Sequence, residues 1–298
     1  MRVVVTGGTG FIGREVVRLL LDRGDTVAVT TRDAAGPDPW HGRVERVQAF
    51  AGDALTLGKA FTGAETVVHA IQFPNHPVED ASKGRTYMEV DGRGTQMAAA
   101  VAKRMGVRRF VYISGAGAGQ GRPQPWFRAK DLAEAAIKES GLEYGIARPS
   151  WIYGPRDHSM NKFVFFCRYL PFVPQIGDGQ APVYPIFVED VARCLVELVH
   201  REDAKDKALD LGGPERFTLD DVVRVIQSVL GKRRPILHHP VPLMKLLVLP
   251  MMILPNPILS PTAIDFITQE VEMDPRPAAE YFGFPFRRLA EGLATYLN

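Results

Sequence analysis

Residues 6–13 read TGGTGFIG, directly after the apolar run Val3–Val5 and at the start of a helical pattern over Phe11–Arg23. The first glycine lets the chain turn sharply, the third lets the backbone approach a ligand, and the last lets the helix pack on the sheet. The N–H groups at the start of a helix attract anions, and the helix dipole strengthens this attraction. The octapeptide therefore predicts a strand, turn and helix that hold the pyrophosphate of a dinucleotide.

Strand-like and helical runs alternate along the first half of the chain. This alternation is typical of a parallel sheet with helices on both faces, so we expect an α/β fold of the doubly wound, Rossmann type. The expected strands are Arg2–Thr6, Thr26–Thr30, Arg46–Phe50, Thr66–Ala70, Arg109–Ser114 and Glu143–Ala147, and the expected helices between them are Phe11–Arg23, Thr86–Met105 and Trp126–Glu139.

The pattern changes after Pro149, where frequent prolines divide the chain into short pieces before helices resume near Glu189–His200 and Leu219–Leu230. We expect residues 1–153 to form the nucleotide-binding domain, with elements near 183–200 returning to it. Residues 154–298 would form a smaller C-terminal lobe. Such a lobe closes over the carboxyl edge of the sheet, where doubly wound sheets bind their ligands.

The end of the second expected strand distinguishes the two nicotinamide dinucleotides. Proteins that bind NAD usually place Asp or Glu there to accept hydrogen bonds from the adenosine ribose. Residues 29–32 read VTTR, and a carboxylate first follows at Asp33. An arginine suits the 2′-phosphate of NADP, and Thr31 adds a hydroxyl donor. We therefore expect NADP(H) with Arg32 on the phosphate; the alternative is a solvated Arg32 paired with Asp33.

These motifs resemble the extended form of the short-chain dehydrogenase/reductase superfamily, and the resemblance covers nearly the whole chain. Further landmarks of that superfamily follow in the same order. They are Gly52-Asp53, VVHA at 67–70, DGRGT at 91–95, GVRRFVYIS at 106–114, Arg148-Pro149, YGP at 153–155 and VEDVA at 188–192.

The resemblance implies which residues line the dinucleotide. In the superfamily an Asp after the third strand approaches the adenine, the end of the fourth strand lies beside the cofactor, and a helix lysine binds the nicotinamide ribose. The residues implied to bind the cofactor here are Gly7, Thr9, Gly10, Phe11, Ile12, Gly13, Arg32, Asp53, Ala70, Ser114, Lys130 and Pro149.

The proton-transfer residues of the superfamily are not in place. Active members use Tyr-x-x-x-Lys on a helix and a Ser or Thr after the fifth strand, but residues 126–130 read WFRAK and Ala116 stands at the hydroxyl position. Lys130 is retained, while the indole of Trp126 can donate a hydrogen bond but cannot titrate usefully. We therefore predict no catalytic residue. Other tyrosines remain as alternative proton donors, although no spacing selects one of them: Tyr87, Tyr112, Tyr144, Tyr153 and Tyr184.

Within the superfamily, LPFVPQIG at 170–177 and the tail from Ser260 to Leu297 resemble atypical members related to the NADPH-binding accessory subunit of respiratory complex I. The resemblance implies NADPH held as a structural element near a membrane and a quinone site. Three functions stay open: an NADP(H)-binding protein with a structural, regulatory or modest redox role; a reductase of a quinone or small carbonyl compound; and a nucleotide-sugar epimerase or dehydratase. Trp126 and Ala116 disfavour the third.

Residues 241–259 read VPLMKLLVLPMMILPNPIL, the most apolar stretch of the chain. Pro250, Pro255 and Pro257 would interrupt a membrane-spanning helix, and Lys245 lies within the stretch. We expect a short buried helix of the second lobe. The alternative is an exposed apolar surface that contacts a membrane, a lipid-like or quinone ligand, or a protein complex.

Composition excludes several other classes of protein. The formal net charge is +2, without the basic run that nucleic-acid binding would require. The histidines show no metal-ligand spacing, and the two cysteines, Cys167 and Cys194, lie far apart in apolar surroundings. We expect no metal site, no disulfide and no nucleic-acid partner. The chain begins with a strand rather than a targeting segment, so we expect it in the cytoplasm, or at the periphery of a membrane.

Overall fold

The computed structural model describes residues 1–253, 257 and 259–297. Its centre is a seven-stranded sheet in the order β11-β6-β5-β4-β1-β2-β3, with every neighbouring pair parallel. The expected doubly wound α/β fold is confirmed. The strands are β1 Arg2–Thr6, β2 Thr26–Thr31, β3 Glu45–Gln48, β4 Thr66–His69, β5 Arg109–Ile113, β6 Glu143–Pro149, β7 Ile152–Tyr153, β8 Val173–Ile176, β9 Pro182–Val183, β10 Ile186–Phe187, β11 Lys207–Leu211, β12 Phe217–Thr218 and β13 Ile236–His239.

Helices cover both faces of this sheet and build most of the C-terminal part. A π-helix covers Tyr87–Arg93, and 3-10 turns cover Ala81–Lys83, Glu202–Ala204 and Leu249–Ile253. The α-helices are α1 Phe11–Asp22, α2 Ala54–Phe61, α3 Gly94–Arg104, α4 Pro125–Glu139, α5 Met160–Tyr169, α6 Val188–His200, α7 Leu219–Val229, α8 Val241–Val248, α9 Pro261–Ile267, α10 Arg276–Phe282 and α11 Leu289–Leu297.

The central strand β1 shows why the strands of this sheet have continuous apolar sequences. Val3 and Val5 pack on one face with residues of α1 and α6, while Val4 packs on the other with residues of α2 and α3. Both faces are buried, as is usual for a parallel sheet between two helical layers. The chain crosses from β3 to β4 on the far side of β1, so a crevice opens at the carboxyl ends of β1 and β4.

The helix expected over Thr86–Met105 begins as the π-helix and continues as α3 from Gly94. The third strand covers Glu45–Gln48 and not Arg46–Phe50, because the turn that leads to Asp53 takes up the last residues. Helix α2 was not expected from the sequence. Asp53 caps it by accepting from the N–H groups of Leu55 and Thr56 at 3.0 and 3.3 Å.

Two elements beyond residue 153 belong to the sheet layer. Helix α6 packs against α1, and β11 adds a seventh strand next to β6. Arg109 of β5 is fully buried and donates to the carbonyl oxygens of Val199 and Arg201, at 3.1 and 2.7 Å. It thereby satisfies acceptors that the end of α6 leaves without helical partners. The division of the chain into domains at residue 153 stays a prediction.

The expectation of a buried helix within 241–259 is wrong for the residues that the structure describes there. Helix α8 packs against α9, and Lys245 of α8 forms an ion pair with Asp265 of α9. Val248 is the buried residue of α8. Helix α8 carries apolar side chains around most of its circumference, and one short neighbouring helix cannot bury all of these side chains. Seven large apolar side chains are between 40% and 88% exposed and are here named the apolar patch: Leu243, Leu246, Leu247, Leu249, Met251, Met252 and Ile253.

Residues 254–256 and 258 of the same stretch lie outside the described part of the chain. None of the helices in the described ranges is long and apolar enough to cross a membrane.

Candidate functional site

The glycine loop after β1 has the tight geometry that its sequence predicts. Gly7 has φ +69°, and a Cβ atom there would lie 2.5 Å from the carbonyl oxygen of Ala70. A Cβ at Gly13 would collide with the carbonyl oxygen of Gly7. A Cβ at Gly10 would meet that same oxygen at 3.1 Å and, apart from its chain neighbours, no other described atom within 4 Å. The loop is therefore closed toward the sheet and open above Gly10.

Helix α1 presents its N-terminus to this open space. Gly10 is the N-cap residue and supplies no side-chain acceptor, so within the described residues no N-cap side chain accepts from the first-turn N–H groups. The carbonyl oxygen of Thr9 accepts from Arg14 Nε at 2.8 Å, which fixes the loop. Uncapped amides, the helix dipole and the absence of a side chain over Gly10 fit a pyrophosphate group.

The loop after β2 places Arg32 at the surface. Arg32 is exposed, and its guanidinium has no ion pair within the described residues. Asp33 instead accepts from the N–H groups of Ala35 and Gly36, both at 3.0 Å. The alternative pairing of Arg32 with Asp33 is therefore not formed. Arg32 therefore lies exposed at the end of β2 without an ion-pair partner in the described part of the chain.

Three other predicted cofactor residues lie along the same carboxyl edge: Asp53, Ala70 and Pro149. Ala70 follows β4, and its N–H donates to the carbonyl oxygen of Thr6 at 3.1 Å, which holds it beside the glycine loop. The carbonyl oxygen of Pro149 accepts from the N–H of Ala116 at 2.9 Å and draws the loop after β5 toward β6. Asp53 lies further along this edge as the cap of α2.

Ser114 is part of a buried polar chain at the end of β5. Its hydroxyl donates to Glu134 Oε1 at 2.8 Å, and Arg148 Nη2 contacts Glu134 Oε2 at 2.5 Å. Burial alone would raise the pKa of Glu134, but the hydrogen bonds and charge of Arg148 outweigh burial and lower it. Glu134 is therefore ionised at neutral pH and fixes Ser114 as a donor.

Trp126, at the position predicted to replace a tyrosine, packs against the loop that follows β5. Its six-membered ring lies so close to Gly115 that a Cβ there would collide with Cζ2. The side chain is 9% exposed, and its Nε1 has no hydrogen-bond partner in the described part of the chain. The neighbouring Ala116 is buried and has no hydroxyl group. Neither of these two positions can transfer a proton.

Lys130 is held away from solvent by two partners. Its Nζ lies 2.9 Å from Asp91 Oδ1 and 3.2 Å from the Tyr112 hydroxyl, and Asp91 is fully buried. Burial opposes the charge on Lys130, but the carboxylate of Asp91 outweighs burial and raises the pKa of Lys130 above its ordinary value. An ammonium group has three N–H donors, so one remains for a ribose hydroxyl. Binding of the ribose by Lys130 stays a prediction.

The alternative proton donors differ in their surroundings. The Tyr153 hydroxyl donates to the carbonyl oxygen of Arg288 at 3.3 Å. The Tyr153 ring packs in the hydrophobic core of the C-terminal part. The Tyr184 hydroxyl donates to Glu272 at 2.8 Å. Tyr87 is 2% exposed, and its hydroxyl has no partner among the residues the structure describes. Only its place in the fold brings Tyr87 close to Trp126, so no sequence spacing could have selected it.

Across the described ranges, no cluster of three or more His, Cys, Asp or Glu side chains could hold a metal ion. Cys167 and Cys194 are separate buried thiols. Burial raises the pKa of the Cys167 thiol to about 11, so it is an unreactive core residue.

Comparison with known proteins agrees with this geometry. A family described as NAD(P)H-binding matches residues 7–202, which is most of the chain. Among curated proteins, subunit 9 of the NADH dehydrogenase [ubiquinone] 1 alpha subcomplex from Arabidopsis thaliana mitochondria is 27% identical over 255 residues. The alignment covers 83% of this chain and 62% of that subunit, so the chain spans less than two thirds of the relative's length.

One further curated protein and one solved structure are similar to this chain. The ceramide reductase of Caulobacter vibrioides is 27% identical over 244 residues, covering 80% of this chain and 74% of that protein. The UDP-glucose 4-epimerase of Thermus thermophilus, solved in complex with NAD, superposes with a TM-score of 0.74 at 21% identity and covers 99% of this chain and 97% of its own. The epimerase shows a shared fold alone. The chain thus belongs to the NAD(P)H-binding family, is homologous to subunit 9 of the mitochondrial NADH dehydrogenase, and has the Rossmann-type fold of the short-chain dehydrogenases/reductases.

Proposed function

We propose that this protein binds NADP(H) in preference to NAD(H) and holds it without the superfamily's tyrosine proton relay, in a structural, regulatory or modest redox role. The observation that carries the proposal is the contrast between two halves of one crevice. The loop from Gly7 to Gly13 is open and uncapped for a pyrophosphate, whereas Trp126 packs on Gly115 where a proton donor would stand. Bound NADPH would supply a hydride, while the chain's own groups bind and orient it.

The test is calorimetry with both reduced dinucleotides, combined with thermal unfolding. We expect NADPH to bind more tightly than NADH and to raise Tm, because a ligand that binds only the folded state stabilises it. We also expect the nicotinamide to stay reduced when no electron acceptor is present. Failure of the folded protein to bind either dinucleotide would refute the proposal.

Selectivity for NADP(H) depends on Arg32 in this proposal. We expect Arg32→Ala to weaken NADPH binding by about 10- to 150-fold, since a hydrogen bond to a charged group is worth roughly 1.5–3 kcal/mol. NADH binding should change by less than about threefold, because NADH lacks the 2′-phosphate. Arg104→Ala removes the same charge from an exposed position at the end of α3 and is the matched control. Equal losses for both dinucleotides in Arg32→Ala would show that Arg32 does not contact the phosphate.

A second candidate function is reduction of a quinone or a small carbonyl compound. A specific observation favours it: the Tyr87 hydroxyl and Trp126 Nε1 are buried donors within one cluster of aromatic side chains, and neither has a partner among the described residues. Steady NADPH oxidation with a panel of quinones would support it. Losing a positioned general acid usually costs about 10²–10⁴ in rate, so an acceptor that takes its protons from water suits this site better than a sugar. An epimerase or dehydratase reaction remains disfavoured by Trp126 and Ala116.

Attachment to a membrane-embedded assembly is the third part of the proposal. The apolar patch is exposed on α8 and the 3-10 turn after it, and exposed patches of this kind usually contact another surface. The name of the Arabidopsis relative places that protein in a mitochondrial NADH dehydrogenase. By analogy, we propose that the apolar patch seats this chain on a membrane protein, at the periphery of the membrane and on its cytoplasmic side.

Charges in the apolar patch should release the protein from membranes. We expect Leu246→Glu combined with Met252→Glu to remove it from the membrane fraction at an unchanged Tm, because both side chains are exposed in the folded chain, at 64% and 45%. Leu55→Glu is the matched control, since Leu55 is 82% exposed on α2. Unchanged partitioning of the double variant would contradict the proposal. If the unmodified protein binds protein-free lipid vesicles as well as it binds the membrane fraction, the partner is lipid and not a protein.

A further inference from the structure

Five rings from distant parts of the chain meet beside the cofactor crevice. Phe73 and His76 follow β4, Tyr87 opens the π-helix, Trp126 lies on α4, and Phe266 comes from α9. These five residues are here named the aromatic cluster. Phe73 lies three residues beyond Ala70, which contacts the glycine loop, and Trp126 packs on the loop after β5. The cluster therefore adjoins the end of the crevice where the nicotinamide of a dinucleotide is expected.

The ring of Phe266 occupies the centre of this group. It is stacked on Tyr87, with centroids 6.1 Å apart and an angle of 30° between the ring planes. It meets His76 and Trp126 edge-on, at 4.8 and 5.4 Å. Phe266 is partly exposed, while Phe73 and Tyr87 are 3% and 2% exposed. A flat ring thus already fits between these side chains, and it is supplied by the C-terminal part of the chain.

Three polar atoms in the cluster have no hydrogen-bond partner among the described residues. They are His76 Nε2, the Tyr87 hydroxyl and Trp126 Nε1, and all three are shielded from solvent. Folded proteins pair the large majority of buried polar atoms, because an unmade hydrogen bond is costly. Three unpaired atoms around one ring indicate that a ligand or ordered water supplies the missing partner. The phenyl ring of Phe266 cannot do so.

The cluster is also uncharged. Burial lowers the pKa of His76 to about 3 and raises that of Tyr87, so both side chains are neutral at physiological pH. The nearest buried cation, Lys130, is paired with Asp91. An anionic ligand would find no counter-charge among these rings, whereas a neutral ring compound with hydrogen-bond acceptors would satisfy the two donors.

We infer that the aromatic cluster is a binding site for a planar, uncharged ring compound with carbonyl acceptors, the chemistry of a quinone head group. The ligand takes the place of the Phe266 ring and accepts hydrogen bonds from the Tyr87 hydroxyl and Trp126 Nε1. This inference develops the second candidate function. It rests on the proposed function only for the position of the nicotinamide, because the ligand site itself is complete without a dinucleotide.

Equilibrium dialysis with two matched ligands tests the site in the absence of dinucleotide. Duroquinone and durene share a tetramethyl-substituted six-membered ring, and only duroquinone has carbonyl groups. We expect duroquinone to bind about 10-fold more tightly or better, from the two hydrogen bonds. Equal affinities would overturn the inference. Because dialysis is done without dinucleotide, a failure here is distinguishable from a failure to bind NADPH.

Conservative variants test the two donors separately. Tyr87→Phe and Trp126→Phe should each reduce the preference for duroquinone by about threefold or more and leave durene binding unchanged. Trp151→Phe and Tyr153→Phe are the matched controls, since Trp151 Nε1 already donates to Ser159 and the Tyr153 hydroxyl to Arg288. Both controls should keep the preference. A preference that survives in both donor variants would overturn the inference.

Two further measurements separate a ligand site from ordinary packing. Phe266→Ala should strengthen duroquinone binding, because it vacates the ring position, and weaker binding would overturn the inference. Tyr87→Phe should leave Tm unchanged or raise it, because the hydroxyl has no partner among the described residues of the unliganded protein. A clear fall in Tm would show that the hydroxyl has a structural partner.

Discussion

Gly10→Leu is expected to abolish measurable binding of both NADPH and NADH while the protein stays folded. Gly10 has φ −76° and ψ −179°, an extended conformation that any residue adopts. Its Cβ would need only a small shift of the Gly7 carbonyl, at 3.1 Å, and the rest of the side chain would enter the space assigned to the pyrophosphate. Losing two amide contacts to that anion should weaken binding at least about 100-fold in calorimetry.

The choice of Gly10 separates binding from folding. Substitution of Gly13 would push a Cβ into the Gly7 carbonyl, so lost binding there would report a damaged loop. Gly58→Leu is the matched control, because Gly58 lies within α2 and its nearest neighbour, Met105 Sδ, is 4.0 Å from the added Cβ. Gly58→Leu should bind both dinucleotides normally. Normal binding by Gly10→Leu would show that the pyrophosphate does not lie on this loop.

Much of the fold could be predicted because its signals are local. A run such as Val3–Val5 must be buried on both faces, and the glycine loop that follows fixes the turn into α1. Strand β11 was missed because it is an edge strand: Lys207–Asp210 are only partly buried, so they show no continuous apolar run. Helix α2 was missed because its signal is a cap at Asp53 and not a long periodic pattern.

The site was predictable only where one segment provides it. The glycine loop at 6–13 and the candidate position of Trp126 can both be recognised from short motifs. By contrast, the aromatic cluster joins Phe73 and Phe266, which are far apart in sequence, and the partner of Lys130 is the distant Asp91. The exposure of the apolar patch could not be predicted from the sequence either, because an apolar sequence is compatible with packing in a core and with contact to another molecule.

The second large effect is expected from Asp91→Ala, which should lower the free energy of unfolding by about 3–5 kcal/mol, because it leaves the buried charge of Lys130 without its partner. At about 2 °C per kcal/mol for a chain of this length, Tm should fall by roughly 6–10 °C. The control is Glu89→Ala, which breaks an exposed ion pair with Arg93 in the same π-helix and should cost less than about 1 kcal/mol. Chemical denaturation measures both.

Replacing both partners decides whether the effect comes from the unpaired charge. Asp91→Ala combined with Lys130→Met removes the charge together with its counter-ion, and well-packed apolar groups often replace a buried ion pair without loss. We expect the double variant to recover most of the stability lost in Asp91→Ala. If the double variant is as unstable as the single one, the loss comes from packing. The double variant also tests Lys130 directly: if it binds NADPH as the unmodified protein does, the ammonium group holds the fold together and does not hold the ribose.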